Sequence, residues 1–317
     1  MGVMNCSRSD YLRVLLGLYW LRPETAVLRT LDCLALAEVA FKAPILDLGC
    51  GDGLFSFTRA GGTVRPEYDV FWQAGSLDSF FANADIYDHF DENAVLPAPA
   101  KAPAYRIDVG FDAKPDLLAK AARLEFYGEL VQGDANMALP FPDRKFRTVF
   151  SNILYWIDDY RTTLAEIRRV LVDDGIAVLH VPSETFRDYS FYARHYLRTR
   201  DARWRWLERL DRGRSESIKL CRSRAEWEDD FRAAGFKVIH HRRYLSRTVL
   251  EAWDIGLRPI SPFLIEMANG LSPERRAAIK LKWIDGLMPM LEPLCELDWP
   301  TDAASPPGFH LFALGQA

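Results

Sequence analysis

An acidic residue and three regularly spaced glycines stand where a short apolar run ends. They form the pattern Asp47-x-Gly49-x-Gly51-x-Gly53, which is typical of a buried parallel strand that ends in a tight turn. Such a turn lets a ligand approach the backbone closely, and the helix that follows offers free N–H groups. The spacing differs from the Gly-x-Gly-x-x-Gly pattern that binds pyrophosphate. An acid two positions before the first glycine is better suited to an ammonium group, such as that of a methionine moiety.

Strand-like and helix-like segments alternate along the rest of the chain. Apolar or alternating runs predict further strands at 106–112, 129–134, 145–152, 175–182, 235–240 and 308–314. Helical periodicity predicts helices over 115–126, 160–171 and 223–234, with one or two more within 10–40, broken near Pro23. Strands that alternate with helices imply a mostly parallel sheet that is covered on both faces.

This combination resembles the class I S-adenosylmethionine (SAM)-dependent methyltransferases, in particular the group that methylates small molecules. Besides the glycine turn, the resemblance rests on the stretches 109–118, 132–141, 146–156 and 166–175. It covers residues 42–182 well and 223–245 loosely. It implies an α/β fold, a Rossmann-like three-layer sandwich with helical insertions. Its seven-stranded sheet would be mostly parallel, with the last strand antiparallel.

The resemblance also implies which residues bind the cofactor SAM. Asp112 would hold the ribose hydroxyls, and Asp134 would contact the adenine amino group. Glu67 and Asp69 lie nearer the usual distance from the glycine turn and remain the alternative to Asp112. We favour Asp112 because it ends a strand-like run and a helix follows it. The full implied set is Asp47, Gly49, Cys50, Gly51, Gly53, Phe111, Asp112, Asp134, Ala135, Ser151 and Asn152.

The acceptor side is predicted from topology, because ligands of an open α/β sheet bind beyond the carboxyl ends of its strands. Candidate acceptor contacts are Tyr155, Trp156, Tyr189 and Arg194. His180, at the end of the fifth expected strand, is the candidate catalytic base, with a packed strand histidine as the simpler explanation. Methyl transfer depends largely on holding the nucleophile in line with the methyl group, so a base is needed only where the acceptor must lose a proton.

The expected organisation divides the chain into core and helical additions. The segments are an N-terminal helical cap 1–41, a SAM-binding core 42–182 with an insertion 61–104, a helical substrate segment 183–222, continued core 223–247, a helical lid 248–307 and a last core strand 308–317.

Nine arginines interleaved with aromatic residues lie within 187–214. Guanidinium groups make paired hydrogen bonds to carboxylate or phosphate. We therefore expect a small or medium anionic acceptor, such as a natural-product, sugar or lipid precursor. The same mixture of residues suits RNA. An RNA methyltransferase and a SAM-binding protein without turnover are thus the alternative functions. The stretch after Ser151 lacks the prolines of enzymes that methylate DNA amines, which disfavours DNA.

Composition excludes several other classes of protein. The net charge is −4, so the chain as a whole is not a basic nucleic-acid coat. Five scattered cysteines lack metal-ligand spacing, and the group Asp88, His89 and Asp91 matches no metal motif, so no metal is expected. The apolar run 14–21 is too short to cross a bilayer. We expect a cytoplasmic SAM-dependent methyltransferase, EC 2.1.1.

Overall fold

The computed structural model describes residues 6–72, 95–203, 220–297 and 305–317. Two helices come first, α1 (Arg8–Tyr19) and α2 (Pro23–Leu36). Ser7 caps α1, because its hydroxyl accepts a hydrogen bond from the Asp10 N–H and the Asp10 carboxylate bonds back to Ser7. Pro23 occupies the first turn of α2, a position where its missing N–H costs nothing. The break expected near Pro23 is therefore confirmed.

The chain then alternates strands with helices. The strands are β1 (Ile45–Leu48), β2 (Thr63–Val64), β3 (Pro99–Lys101), β4 (Ile107–Asp112), β5 (Tyr127–Gln132), β6 (Phe146–Ser151), β7 (Leu171–Pro182), β8 (Phe236–Tyr244) and β9 (Phe309–Gln316). The later helices are α3 (Leu54–Arg59), α4 (Pro115–Ala122), α5 (Tyr160–Val170), α6 (Phe186–Tyr189), α7 (Phe191–Thr199), α8 (Arg224–Ala233), α9 (Arg247–Ile255), α10 (Ser261–Asn269) and α11 (Pro273–Leu291).

Within the described residues, seven strands form one sheet in the order β5-β4-β1-β6-β7-β9-β8. The pairs from β5 to β7 are parallel. The last strand, β9, runs antiparallel to both β7 and β8. The expected fold class, a three-layer sandwich with a mostly parallel seven-stranded sheet and an antiparallel last strand, is thus confirmed.

Each face of this sheet carries its own hydrophobic core, because successive strand residues point to opposite sides. On β7, Val178 packs in the core that also contains Leu31 of α2 and Ile284 of α11. The adjacent Leu179 packs in the other core, with Leu164 of α5 and Trp227 of α8. The N-terminal helices and α11 therefore cover one face, and α5 and α8 cover the other.

Several element boundaries differ from those expected. β7 begins at Leu171 rather than at Gly175, because Leu171 already pairs with Phe146 before the register shifts. β8 continues to Tyr244 because β9 pairs with it along that whole length. Within the insertion 61–104, β2 pairs antiparallel with β3, a pairing that the sequence pattern did not predict.

A buried ion cluster ties the insertion to α1 and α11. The Asp69 carboxylate accepts two hydrogen bonds from the Arg276 guanidinium, at 2.6 and 2.9 Å, and one from Trp20 Nε1 at 3.0 Å. Lys280 Nζ lies 3.4 Å from the same carboxylate and donates to two backbone carbonyls of the insertion, those of Pro66 and Tyr68. This cluster makes α11, in the segment expected to be a lid, part of the layer that α1 begins. Among the described helices, none combines the length and apolar character needed to cross a membrane.

Candidate active site

The glycine turn after β1 folds back onto the end of β4. The N–H groups of Gly49 and Cys50 donate to the Phe111 carbonyl at 2.8 and 3.1 Å. The Gly51 N–H donates to the Asp112 carboxylate at 2.9 Å. Gly51 has a φ of +56°, in the left-handed region that favours glycine, and a Cβ added there would meet no atom within 4 Å. The turn is thus held firmly from one side and leaves open space beside Gly51.

The structure separates the candidates for the ribose-binding acid. Asp112 is half-buried at the end of β4, with its second carboxylate oxygen accepting from the Lys114 N–H at 2.9 Å. Asp69 is buried in the ion cluster with Arg276, and Glu67 is exposed. Asp112 is therefore the carboxylate of these three that is bonded to the glycine turn.

Asp47 lies inside the protein, bonded to the helix that follows the turn. Only 2% of its surface is exposed, and its Oδ2 accepts hydrogen bonds from the Ser56 hydroxyl at 2.6 Å and the Tyr127 hydroxyl at 2.8 Å. Burial raises the pKa of Asp47 to about 6, against the effect of these two bonds. We expected this carboxylate to contact a ligand's ammonium group. In the structure it accepts hydrogen bonds from side chains of α3 and β5. Gly53, between Asp47 and Ser56 in the chain, starts α3 in a left-handed conformation.

Two further predicted residues follow β5 at the same edge of the sheet. Asp134 is exposed, and its Oδ1 accepts from both the backbone and the side-chain nitrogen of Asn136, at 2.9 and 2.8 Å. These bonds lower the pKa of Asp134, so the group is a fixed carboxylate at neutral pH. Ala135 is buried, and its carbonyl accepts from the Thr163 hydroxyl.

The end of β6 supplies the last predicted cofactor residues. Ser151 is fully buried and Asn152 is half-buried. The Ser151 hydroxyl accepts from the Ile153 N–H at 3.3 Å. The Ile153 side chain lies over Gly49, where a Cβ would approach it to 2.5 Å. The ends of β1, β4, β5 and β6 therefore bring the predicted cofactor residues to one edge of the sheet.

The predicted acceptor residues do not form one group. Tyr155 is half-buried, with its ring 5.8 Å from that of Phe309. Trp156 is 45% exposed. Tyr189 is buried and donates to the Pro306 carbonyl at 2.7 Å, and Arg194 pairs with Glu251 at 2.8 Å, so both are already engaged within the fold. The predicted group Asp88, His89 and Asp91 and residues 204–219 lie outside the described residues.

His180 belongs to a hydrogen-bonded network that the sequence analysis did not find. Its Nδ1 lies 2.7 Å from the Tyr244 hydroxyl, which also bonds to Asp32 Oδ1 at 2.7 Å. The other oxygen of Asp32 accepts from the Arg29 guanidinium at 3.0 Å. His180, Tyr244 and Asp32 are all buried, whereas 34% of the Arg29 side chain is exposed.

Arg29 connects this network electrostatically to the glycine turn. Burial alone would raise the pKa of Asp32, but contact with His180 and the charge of Arg29 outweigh it and lower that pKa. Burial raises the pKa of Asp52, in the turn itself, and Arg29 is among the charges that oppose the rise. The Arg29 guanidinium also stands 5.4 Å from the centre of the Phe55 ring on α3. The cation thus lies between the turn and the network.

A signal for part of this network was present in the sequence. Arg29 and Asp32 stand three residues apart on a helix whose other residues are mostly apolar, and such pairs face each other. A charged pair on the buried side of an apolar helix is costly unless it has a use. Tyr244 carried no such signal, since it ends a strand predicted to stop earlier.

The sequence model of a family described as "Methyltransferase domain" matches residues 96–179, a stretch that runs from just before β3 into β7. The chain therefore contains a methyltransferase domain. SAM is the cofactor of this domain. The residues at the carboxyl ends of β1, β4, β5 and β6 fit that cofactor. The open space beside Gly51 lies next to the Asp112 carboxylate, because the Gly51 N–H is bonded to that carboxylate.

Solved structures similar to this methyltransferase share little sequence with it. The [4+2]-cyclase SpnF is 14% identical over 93% of this chain and 82% of its own, with a TM-score of 0.46. A SAM-dependent methyltransferase from Geobacter sulfurreducens, in complex with S-adenosyl-L-homocysteine, is 13% identical over 90% of both chains, with a TM-score of 0.44. One from Mesorhizobium loti is 14% identical over 90% of this chain and 97% of its own, with a TM-score of 0.43. No protein in the comparison with curated sequences matches.

Proposed function

We propose that this methyltransferase transfers the methyl group of SAM to a small or medium anionic acceptor, such as a natural-product, sugar or lipid precursor. The observation that carries the proposal is the position of Arg29, between the glycine turn and the His180 network. Among the described residues, its guanidinium makes one hydrogen bond, to Asp32. The remaining donors and the exposed third of the side chain leave Arg29 able to bind an anion.

Residues at the carboxyl ends of the parallel strands each hold a different part of the cofactor. Asp112 accepts hydrogen bonds from the ribose hydroxyls, and Asp134 accepts one from the adenine amino group. The methionine portion occupies the space beside Gly51. Asp47 positions the turn from inside the protein, through Ser56 and Tyr127. When bound, SAM supplies an electrophilic methyl group on a sulfonium.

The acceptor lies on the side of the turn that faces α2. Arg29 pairs with its carboxylate or phosphate, since a guanidinium matches the geometry of both groups. The half-buried ring of Tyr155 forms part of the wall. Holding the acceptor in this way supplies the in-line alignment on which methyl transfer depends.

Two of the five described arginines in the arginine-rich segment already pair with acids, which weakens the case for RNA as the acceptor. Arg194 pairs with Glu251, and Arg203 pairs with Asp201 at 2.6 Å. A cation that is already paired with an acid contributes less to phosphate binding, because the acid competes with the phosphate.

A methyl-transfer screen tests the proposal directly. The purified protein is incubated with SAM labelled in its methyl group and with a small-molecule extract or total RNA, in separate reactions. We expect label in an anionic small molecule, and much less label when the Asp112→Ala variant replaces the natural protein. Label in RNA alone would overturn the acceptor class. Binding of S-adenosylhomocysteine without any labelled product would favour a SAM-binding protein without turnover.

A further inference from the structure

One atom of the His180 network has no partner. His180 is 2% exposed, and its Nε2 is buried with no hydrogen-bond partner among the described residues. Its other ring nitrogen, Nδ1, contacts Tyr244. A buried ring nitrogen left unbonded is costly, and native proteins rarely keep one without a use.

The hydrogen bonds of Tyr244 place a proton on Nδ1 of this histidine. The Tyr244 hydroxyl has one proton and two neighbours, Asp32 Oδ1 and His180 Nδ1, both at 2.7 Å. The Asp32 carboxylate has no proton to give, because Arg29 and the contact with His180 keep it ionised. Tyr244 therefore donates to Asp32, and its oxygen accepts from an N–H at Nδ1. With the proton on Nδ1, a neutral His180 has a bare lone pair at Nε2.

We propose that Asp32 and Tyr244 are positioning residues that hold His180 in the Nδ1–H tautomer, so that Nε2 receives the proton of an acceptor hydroxyl. This inference rests on the proposed function and names the reacting group of the acceptor. A hydroxyl must lose its proton as it becomes an ether, whereas a carboxylate acceptor would need no base. Because Arg29 is the exposed member of the network, the acceptor enters beside it.

The step balances with the groups present. The oxygen of the hydroxyl forms a bond to the methyl carbon, and the electron pair of the broken carbon–sulfur bond stays on sulfur. The hydroxyl proton passes to Nε2. The imidazolium so formed is stabilised by the Asp32 carboxylate, which lies 3.6 Å from Nδ1.

In the described part of the chain, α2, β6, β8 and β9 contribute the residues that contact His180. Helix α2 contributes Asp32 and, behind it, Arg29, while β8 contributes Tyr244. Next to His180 on the sheet, β6 places the apolar ring of Phe150 at 5.7 Å, edge to face, and β9 places Leu311 opposite. Tyr155 acts electrostatically on Tyr244, but burial raises the pKa of both phenols, so each is neutral. The described residues around the ring thus offer His180 one anion, Asp32.

Nitrogen-15 NMR of the full-length protein, labelled at histidine, tests the inference without knowledge of the acceptor. The His180→Gln variant identifies which of the six histidines gives the signals of His180. At neutral pH we expect a protonated Nδ1 and an unprotonated Nε2. Asp32→Asn keeps the size of the side chain but removes its charge, so the Tyr244 proton becomes available to Nδ1. We expect this variant to shift His180 towards the Nε2–H tautomer, and Tyr244→Phe to weaken the preference for Nδ1–H.

Glu38→Gln is the matched control, because Glu38 contacts a different histidine, His240, at 3.1 Å. It should leave the signals of His180 unchanged. An Nε2–H tautomer in the natural protein, or no shift in Asp32→Asn, would overturn the inference. Calorimetry with S-adenosylhomocysteine distinguishes failure of the tautomer assignment from failure of the proposed function. If the product binds and the tautomer is wrong, the proposed function survives and only the positioning role of Asp32 and Tyr244 fails.

Discussion

The main-chain N–H of Gly51 lies 2.9 Å from a carboxylate oxygen of Asp112, so one hydrogen bond joins the glycine turn to the end of the neighbouring strand. The two residues are 61 positions apart in the chain. The same carboxylate shapes the turn and, in the proposed function, binds the ligand that the turn would hold. Substitutions at either residue should therefore act on cofactor binding, and they should not be independent of each other.

Gly51→Val should abolish binding of S-adenosylhomocysteine while the domain stays folded. Its branched side chain would enter the open space beside the turn, and a φ of +56° strains a β-branched residue. Gly51→Ala, with a single added carbon, should bind more weakly than the natural protein but better than the valine variant. Calorimetry measures binding, and circular dichroism checks the fold. Near-normal affinity in a folded valine variant would show that the cofactor does not lie against Gly51.

Asp112→Ala should weaken binding of S-adenosylhomocysteine roughly 10- to 150-fold, because a hydrogen bond to a charged group contributes about 1.5–3 kcal/mol. Asp116→Ala is the control, since Asp116 is an exposed acid on the next helix. Titration calorimetry of both variants gives the comparison. Equal affinities for the two variants would remove Asp112 from the cofactor site.

Arg29→Gln should raise the KM for the acceptor found in the labelling screen by roughly 10- to 150-fold, because an anion loses its charged partner. The affinity for S-adenosylhomocysteine should stay close to that of the natural protein. Arg29→Lys, which keeps the charge, should recover part of the loss. If Arg29→Gln instead lost affinity for the cofactor and left the KM for the acceptor unchanged, Arg29 would bind the carboxylate of the cofactor.

Asp69→Asn should destabilise the fold by about 3–5 kcal/mol, because it leaves Arg276 and Lys280 buried without their anion. Glu67→Gln changes an exposed acid two residues away and should alter the free energy of unfolding by less than about 0.5 kcal/mol. Urea unfolding measures both. A small effect of Asp69→Asn would mean that the cluster does not hold the insertion to α1 and α11.

Asp47 should make the protein less stable as the pH rises from 4 to 7. The unfolded chain releases this proton near pH 4, whereas burial keeps it on the folded protein until about pH 6. In that window the folded state binds more protons, so the contribution of Asp47 to the free energy of unfolding falls with rising pH. Asp47→Asn stays neutral throughout, and it should gain stability relative to the natural protein over this range. Urea unfolding at several pH values checks the sign; a constant difference would contradict the raised pKa.

The sequence allowed the sheet and the position of the glycine turn to be predicted, because both depend on local patterns. The run before Gly49 is apolar and short, and Asp112 ends an alternating segment that a helix follows. The preference for Asp112 over Asp69 came from the same local reasoning. Asp69, one of the two alternatives that spacing along the chain offered, is bonded to Arg276 in the ion cluster.

Apart from the Arg29–Asp32 pair, the network could not be predicted, because it is assembled from distant parts of the chain. Asp32 and Tyr244 are 212 residues apart, and His180 and Tyr244 are 64 apart. Neither separation corresponds to a helical or strand period. The partners of Asp47 within the protein could not be predicted for a related reason. Its partner Tyr127 lies 80 residues away and draws the carboxylate into the protein.

The antiparallel strand β9 has a consequence for the order in which the protein is made. His180 and Tyr244 stand on β7 and β8, which are not neighbours, because β9 lies between them in the sheet. Both residues are already part of the nascent chain when the ribosome adds Phe309. Until β9 inserts, no strand of the described sheet joins β8 to β7, so the pairing that sets the distance between the two side chains forms only after the end of the chain has been synthesised.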